Sequence, residues 1–203
     1  MTPADGRGPP TSAADDREVL GRAARGDATA FEDFVQRHEA ALWRYARALC
    51  TDDARAEDAL QETFVQAWRS AASFRGEGSA RAWIFTIARN HVRRNARRAR
   101  HEHEARHTPP DATLEELATA AGFAAPADLG FAQRLDDRDE VLAALARLDA
   151  ADRELVVLRD LEGHDNETVA ALLGLGLAAT KSRVHRARLR LLAELRRSRE
   201  GHA

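Results

Sequence analysis

Four arginines, Arg93, Arg94, Arg97 and Arg98, follow one another at spacings of one, three and one residues. At helical spacing these positions share one face, so their guanidinium groups form a continuous basic stripe. Such a stripe binds the phosphate backbone of a nucleic acid and releases its condensed counterions. Residues 81–100 carry seven arginines and no acidic residue, and we therefore predict a nucleic-acid contact in this segment.

Residues suited to unpaired bases stand beside this stripe. Aromatic rings, arginines and amides are the groups that bind splayed, single-stranded bases. Trp83 has an alternative interpretation as a core residue, because an aliphatic run follows it. The predicted contacts, besides the four arginines, are Phe74, Arg75, Gly76, Ser79, Trp83 and Asn90.

A second basic segment has the layout of a helix-turn-helix. In "NETVAALLGLGLAATKSRVHRARLRL" a short apolar helix carries Ala170 at the helix crossing, and a Gly174-Leu175-Gly176 turn leads into a basic helix. The alternative is an antiparallel helix pair with a solvated basic face. The predicted duplex contacts are Lys181, Ser182, Arg183, His185, Arg186 and Arg188.

The segment "AEDALQETFVQAWRS" predicts a helix with one apolar and one polar face. The side chains expected in the core are Leu60, Phe64, Val65 and Trp68. The side chains expected to point outward are Asp58, Gln61, Glu62 and Gln66. This polar face is either simply solvated or a docking surface for a basic protein partner.

Composition and motifs disfavour catalysis and membrane insertion. The net charge is −2, but acidic residues dominate outside the two basic segments, in keeping with polyanion binding at two places. No glycine-rich phosphate loop, His-Glu-x-x-His motif or nucleophilic cysteine context occurs, and the single Cys50 is expected to be buried and inert. We predict a cytoplasmic, non-enzymatic protein without cofactor or membrane span.

The periodicities predict an all-α protein with two small helical domains. Helices are expected from Phe31 to Leu49, after the turn at Thr51, and after Ser79, which is placed to cap the next helix. Nine of the eleven aromatic residues lie between Phe31 and Phe85, which defines the first core. The predicted organisation is a disordered tail at 1–14, a first domain at 15–100, a flexible linker at 101–138 and an aliphatic second domain at 139–198.

Three motifs in this order resemble a known family. They are "AEDALQETFVQAWRS", "FRGEGSARAWIFTIARNHVRRNARR" and "LRDLEGHDNETVAALLGLGLAATKSRVHRAR". Together they resemble bacterial RNA polymerase sigma factors of the sigma-70 family, and in particular the short extracytoplasmic-function (ECF) type. The resemblance covers about 15–100 and 139–197.

The resemblance implies a role for each motif. The first would dock on the clamp helices of the polymerase beta-prime subunit. The second would recognise and melt the −10 promoter element, with the loop from Phe74 to Ser79 capturing a flipped base and Asn90 with the arginine stripe holding the strand. The third would enter the major groove at the −35 element, next to the beta flap, and an anti-sigma factor is a further possible partner. Thr180 stands where the family usually has a core valine.

Two other interpretations stay open at the sequence level. A stand-alone helix-turn-helix regulator would bind duplex DNA as a dimer without polymerase. A transition-metal site at His101, His103 and His107 would use the one cluster that the resemblance does not explain, although Glu102 and Glu104 among them are typical of a solvated linker.

Overall fold

The computed structural model describes residues 13–50, 52–76, 78–102 and 138–200, with side chains placed for 15–50, 52–76, 78–96 and 140–200. All regular structure in these residues is helical, which confirms the all-α class. The chain divides into two compact units at the Asn95–Ala96 boundary. The predicted tail at 1–14 and linker at 101–138 lie almost wholly outside the described residues and stay predictions.

Four helices and one short turn build the first unit. They are α1 (Ala13–Ala23), α2 (Ala28–Leu49), α3 (Asp53–Ser70), a 3-10 turn (Ala71–Ser73) and α4 (Ala80–Glu102), which runs past the Asn95–Ala96 boundary. The sequence patterns did not predict α1. The N-caps are local: the side chains of Asp27, Asp52 and Ser79 accept hydrogen bonds from Ala30 N at 3.0 Å, Arg55 N at 2.8 Å and Ala82 N at 3.0 Å. The predicted capping role of Ser79 is confirmed.

The first core consists of aromatic and aliphatic side chains from α2 and α4. Phe34, Leu42, Tyr45, Ile84 and Phe85 are almost completely buried. The Tyr45 and Phe85 rings meet edge to face, with 5.4 Å between their centroids. This confirms the location of the core that the aromatic distribution predicted.

The predicted core face of α3 is wrong for two of its four residues. Val65 and Trp68 are 44% and 37% exposed, and Leu60 and Phe64 are only half-buried. The residues of α3 that are buried are Ala56, Ala59, Thr63 and Ala67. Because these small side chains fill the contact between α3 and the rest of the unit, the bulky residues lie at its margins.

The second unit is a bundle of short helices against one long helix. It comprises α5 (Arg138–Arg147), α6 (Ala150–Val156) running into a π-helical turn (Val157–Leu161), α7 (Asn166–Leu173) and α8 (Leu177–Glu200). The core is aliphatic as predicted, with Leu145, Leu155, Val156, Leu158 and Leu191 almost completely buried. Among the described residues of both units, no helix is long and apolar enough to cross a membrane.

Candidate nucleic-acid interface

The helix-turn-helix predicted for the second unit is formed by α7 and α8. The Asp165 carboxylate caps α7 by accepting a hydrogen bond from Thr168 N at 2.7 Å, and this bond is the main reason why the pKa of Asp165 is lowered. Gly174 ends α7 in the left-handed conformation at φ 69°, and Leu175 N then donates to Ala170 O at 2.9 Å. These local bonds fix the tight turn between the two helices.

Thr180 shows how α8 tolerates a hydroxyl in place of a core valine. Its side chain is fully buried, and the hydroxyl donates to Gly176 O at 3.0 Å. A buried hydroxyl with a partner avoids the desolvation cost of an unsatisfied one. The family departure noted at Thr180 therefore leaves the start of α8 intact.

Four of the six predicted duplex contacts are exposed along the N-terminal half of α8. These are Lys181, Ser182, Arg183 and Arg186. His185 is half-buried on the same segment. The N-terminal half of the second helix is the part that reaches base edges in helix-turn-helix proteins, so these residues are suitably placed.

Arg188 differs from the other predicted contacts. Its Nη2 and Nε atoms donate to Asp160 Oδ1 at 2.6 and 3.1 Å, and both side chains are largely buried. This bidentate ion pair ties α8 to the π-helical turn. Because its guanidinium is paired with Asp160, Arg188 positions the second helix, in contrast to its predicted role as a DNA contact.

Helix α4 carries its apolar residues on one face and its polar and basic residues on the opposite face. Ile84, Phe85 and Val92 point into the first core, whereas Asn90 and Arg93 are exposed. Toward the end of the buried face Asn95 Nδ2 donates to Arg55 O at 3.3 Å. The side chains of the other two predicted stripe residues, Arg97 and Arg98, lie outside the described part of α4.

The loop between the 3-10 turn and α4 is anchored by aromatic packing. The Phe74 ring lies 5.5 Å from the Trp83 ring, which in turn lies 6.4 Å from Phe34 in the core. Phe74 and Trp83 are both half-buried, so each has a packing role as well as an accessible edge. Arg75 is exposed, and Gly76 has a φ of 73°.

The outward face of α3 carries the predicted docking residues. Asp58, Gln61 and Gln66 are exposed, and the Glu62 side chain is 43% exposed. Glu62 accepts hydrogen bonds from His91 Nδ1 at 3.0 Å and from Arg94 Nη2. Burial raises the pKa of Glu62, but these two hydrogen bonds outweigh it and leave the pKa lowered. A predicted docking carboxylate therefore pairs with a predicted DNA-binding arginine.

A buried polar cluster that the sequence patterns did not predict lies at the start of the first unit. The carboxylate of Asp16 on α1 lies 3.0 Å from His38 Nε2 and 3.2 Å from Arg37 Nη1, both on α2. Asp16 and His38 are 4% and 3% exposed. The apolar spacing of Val19, Leu20 and Ala23 was the available signal for α1, but nothing local indicated the pairing.

Cys50 is buried at the end of α2. Burial raises the pKa of its thiol to about 11, so almost no thiolate exists near neutral pH. The predicted burial of Cys50 is confirmed, and the raised pKa is in keeping with an unreactive thiol. The predicted histidine cluster falls outside the described side chains, and no group of three or more potential metal ligands occurs within the part that is described.

Each of the two units matches a known protein family. The family described as Sigma-70 region 2 matches residues 34–102, and Sigma-70, region 4 matches residues 138–191. The ECF RNA polymerase sigma factor SigL of Mycobacterium tuberculosis is 33% identical over 164 residues, which cover 80% of this chain and 87% of SigL. The chain belongs to the sigma-70 family. It is a sigma factor of the ECF type, for transcription initiation by RNA polymerase.

Two solved sigma factor structures resemble the ECF sigma factor described here. CnrH in complex with the cytosolic domain of CnrY has a TM-score of 0.61 at 29% identity, covering 93% of this chain and 99% of CnrH. RpoE from Bartonella quintana, in complex with the anti-sigma factor NepR, has a TM-score of 0.59 at 30% identity, covering 81% and 98%. Sigma factors are non-catalytic subunits of RNA polymerase.

Proposed function

We propose that this sigma factor directs core RNA polymerase to promoters by dividing recognition between its two units. The second unit binds duplex DNA at the −35 element, and the first unit captures the melted −10 strand. The observation that carries the proposal is the exposed basic face of α8, presented by a helix-turn-helix whose turn is fixed by Asp165 and Gly174.

For the −35 element, we assign the contacts to the N-terminal half of α8. Lys181 and Arg186 suit phosphates, and Ser182 and Arg183 suit base edges in the major groove. The half-buried His185 adds a further polar contact. Arg188 supports α8 through its ion pair with Asp160.

For the −10 element, we assign strand binding to α4 and the preceding loop. Asn90 and Arg93 are exposed on the face that continues toward Arg97 and Arg98, and this face holds the non-template strand. The loop from Phe74 to Ser79 captures the flipped base. Stacking and hydrogen bonds there offset an unstacking cost of about a few kcal/mol.

For polymerase docking, we assign the outward face of α3. Asp58, Gln61, Glu62 and Gln66 would meet the clamp helices of the beta-prime subunit, while the second unit would contact the beta flap. The presence of NepR on the related RpoE supports an anti-sigma factor as a further partner. The absence of a membrane-spanning helix from the described residues is compatible with these cytoplasmic partners.

A run-off transcription assay with purified core polymerase tests the proposal. The template is a linear DNA library with randomised −35 and −10 regions upstream of a fixed transcribed sequence. We expect discrete run-off products with core polymerase plus this chain, and none above background with core polymerase alone. A chain that binds duplex DNA tightly without polymerase and yields no transcripts would instead be a stand-alone regulator.

A further inference from the structure

Arg17 on α1 reaches the loop to which we assign base capture. Its Nη2 atom donates a hydrogen bond to Gly76 O, 59 residues away in the sequence. The same guanidinium also fills the space beside the Gly76 Cα atom, where an added Cβ would overlap the Nε, Cζ and Nη2 atoms of Arg17. The middle of the loop is therefore in contact with a helix outside the predicted DNA-binding segment.

Glycine is suited to position 76 for two separate reasons. Gly76 has a φ of 73°, in the left-handed region that glycine adopts without strain. It also offers a side-chain-free surface for a planar guanidinium. A residue with a side chain at this position would lose both the backbone conformation and the close approach of Arg17.

Helix α1 is itself held firmly. Val19, Leu20 and Ala23 are buried on one side, and the neighbouring residue Asp16 pairs with His38 on α2. Arg17 thus extends from an anchored helix. Its contact with Gly76 joins that anchor to an exposed loop.

The ends of the loop have their own supports. Phe74 packs against Trp83 at the entrance, and Ser79 caps α4 at the exit by accepting a hydrogen bond from Ala82 N. Arg17 supports the middle, between these two ends. A binding loop that is held in its bound shape loses less entropy on binding and discriminates better between ligands.

We propose that Arg17 is a positioning residue for this loop, and that it sets which base of the melted strand the loop accepts. The proposal rests on the base-capture role proposed above. Arg17 is exposed, so its hydrogen bond contributes little to folding. Its effect is on selectivity at the −10 element.

The test is a selection from fork-junction DNA by the polymerase complex formed with this chain. The probe carries a randomised duplex −35 region and a randomised single-stranded −10 region in one molecule. Wild type is compared with Arg17→Ala, Arg17→Lys and Gly76→Ala. The matched control is Arg25→Ala, which removes an equal charge from an exposed residue after α1.

We expect wild type to prefer one base at a −10 position. Arg17→Ala should reduce that preference by about tenfold, and Gly76→Ala should do the same because its Cβ displaces the guanidinium. Arg17→Lys should restore it in part, since lysine retains a donor for Gly76 O. The −35 preference of the Arg17 and Gly76 variants should match that of wild type. Arg25→Ala should match wild type at both the −35 and the −10 element.

Two results would overturn the proposal. In the first, Arg17→Ala does not change the −10 preference selectively. It either retains the wild-type preference, or it lowers the binding of all library members equally while Arg17→Lys restores that binding, as expected for a phosphate contact. In the second, the −35 preference falls together with the −10 preference. If wild type itself selects a −35 sequence but no −10 base, the proposed base capture fails, and the role of Arg17 fails with it.

Discussion

At the scale of single residues, the buried contact between Asp16 and His38 gives the first prediction. Asp16→Asn should lower the free energy of unfolding at neutral pH by about 2 kcal/mol, because the buried acceptor of the contacts with His38 and Arg37 loses its negative charge. The measurement is urea denaturation followed by circular dichroism. Asp15→Asn, at the exposed neighbouring position, is the control and should leave stability unchanged.

The pH dependence of this difference follows from the lowered pKa of Asp16. Burial raises the pKa of Asp16, but hydrogen bonds and charge from His38, and then from Arg37, outweigh it and hold the pKa below its ordinary value. An acid with a depressed folded pKa stabilises the fold above its unfolded pKa, and this contribution disappears as the pH falls through the folded value. The gap between wild type and Asp16→Asn should therefore narrow in acid, and a constant gap would contradict the assignment.

The exposure of many site residues could be predicted from sequence, whereas their pairing could not. Arg93 and Arg183 are exposed where helical spacing predicts a polar face. Arg94 and Arg188 occur in the same patterns, yet they pair with Glu62 and Asp160, which are 32 and 28 residues away. Such partners depend on how helices pack, and the periodicity of one helix carries no information about that.

At the scale of elements, the turn between α7 and α8 contains a matched pair of glycines. Gly174→Ala should lower the free energy of unfolding by about 1 kcal/mol, because alanine is strained at a φ of 69°. An added Cβ meets nothing within 4 Å at either glycine, so steric overlap does not contribute. Gly176→Ala, at a position without positive φ, avoids this backbone strain and should cost less than Gly174→Ala. Equal losses at both positions in thermal denaturation would contradict this explanation.

The basic face of α8 makes a prediction about salt dependence. Arg183→Ala or Arg186→Ala should weaken binding of the polymerase complex to a selected −35 duplex. Loss of a phosphate contact should reduce the slope of log affinity against log salt by about one. Loss of a base contact should instead relax sequence preference at one position.

Arg188→Ala is the contrasting variant on the same helix. Because Arg188 pairs with the largely buried Asp160, its removal should destabilise the second unit and leave the salt slope unchanged. Fluorescence anisotropy at several salt concentrations, together with thermal denaturation, separates the two effects. A reduced slope with wild-type stability would return Arg188 to the set of DNA contacts.

The elements also show where sequence periodicity misleads. For α2 and α4 the large apolar residues identify the buried face, because those helices supply the aromatic core. For α3 the buried face is made of Ala56, Ala59, Thr63 and Ala67, while Val65 and Trp68 are exposed. Alanine is common on both faces of helices, so a close contact built from small residues leaves only a weak signal in the sequence.

At the scale of the whole molecule, the docking face of α3 makes the fourth prediction. Asp58→Arg combined with Glu62→Arg should reduce binding to core polymerase at least about tenfold, because charge complementarity with the clamp helices is reversed. Glu32→Arg combined with Glu39→Arg, at exposed sites on α2, is the control with an equal change in charge. Co-elution in gel filtration is the measurement, with circular dichroism to show that both variants fold. Normal co-elution of the α3 variant would place the docking surface elsewhere.

The division into two helical units was accessible from sequence because each unit has its own composition. Aromatic residues are concentrated in the first unit, whereas the second is built from leucine, valine and alanine. Helix α1 was not predicted, because its short apolar pattern follows a segment rich in glycine and proline. The contacts that α1 makes with His38 and Gly76 explain why it belongs to the first unit.

The division of labour between the two units is tested most directly by footprinting the polymerase complex on one selected promoter. DNase protection reports −35 binding, and permanganate reactivity of unpaired thymines reports −10 opening. We predict that Arg183→Ala with Arg186→Ala weakens −35 protection, whereas Asn90→Ala with Arg93→Ala retains that protection and loses permanganate reactivity. If the α4 variant opens the −10 region as wild type does, or if both variants lose both signals equally, the account is contradicted.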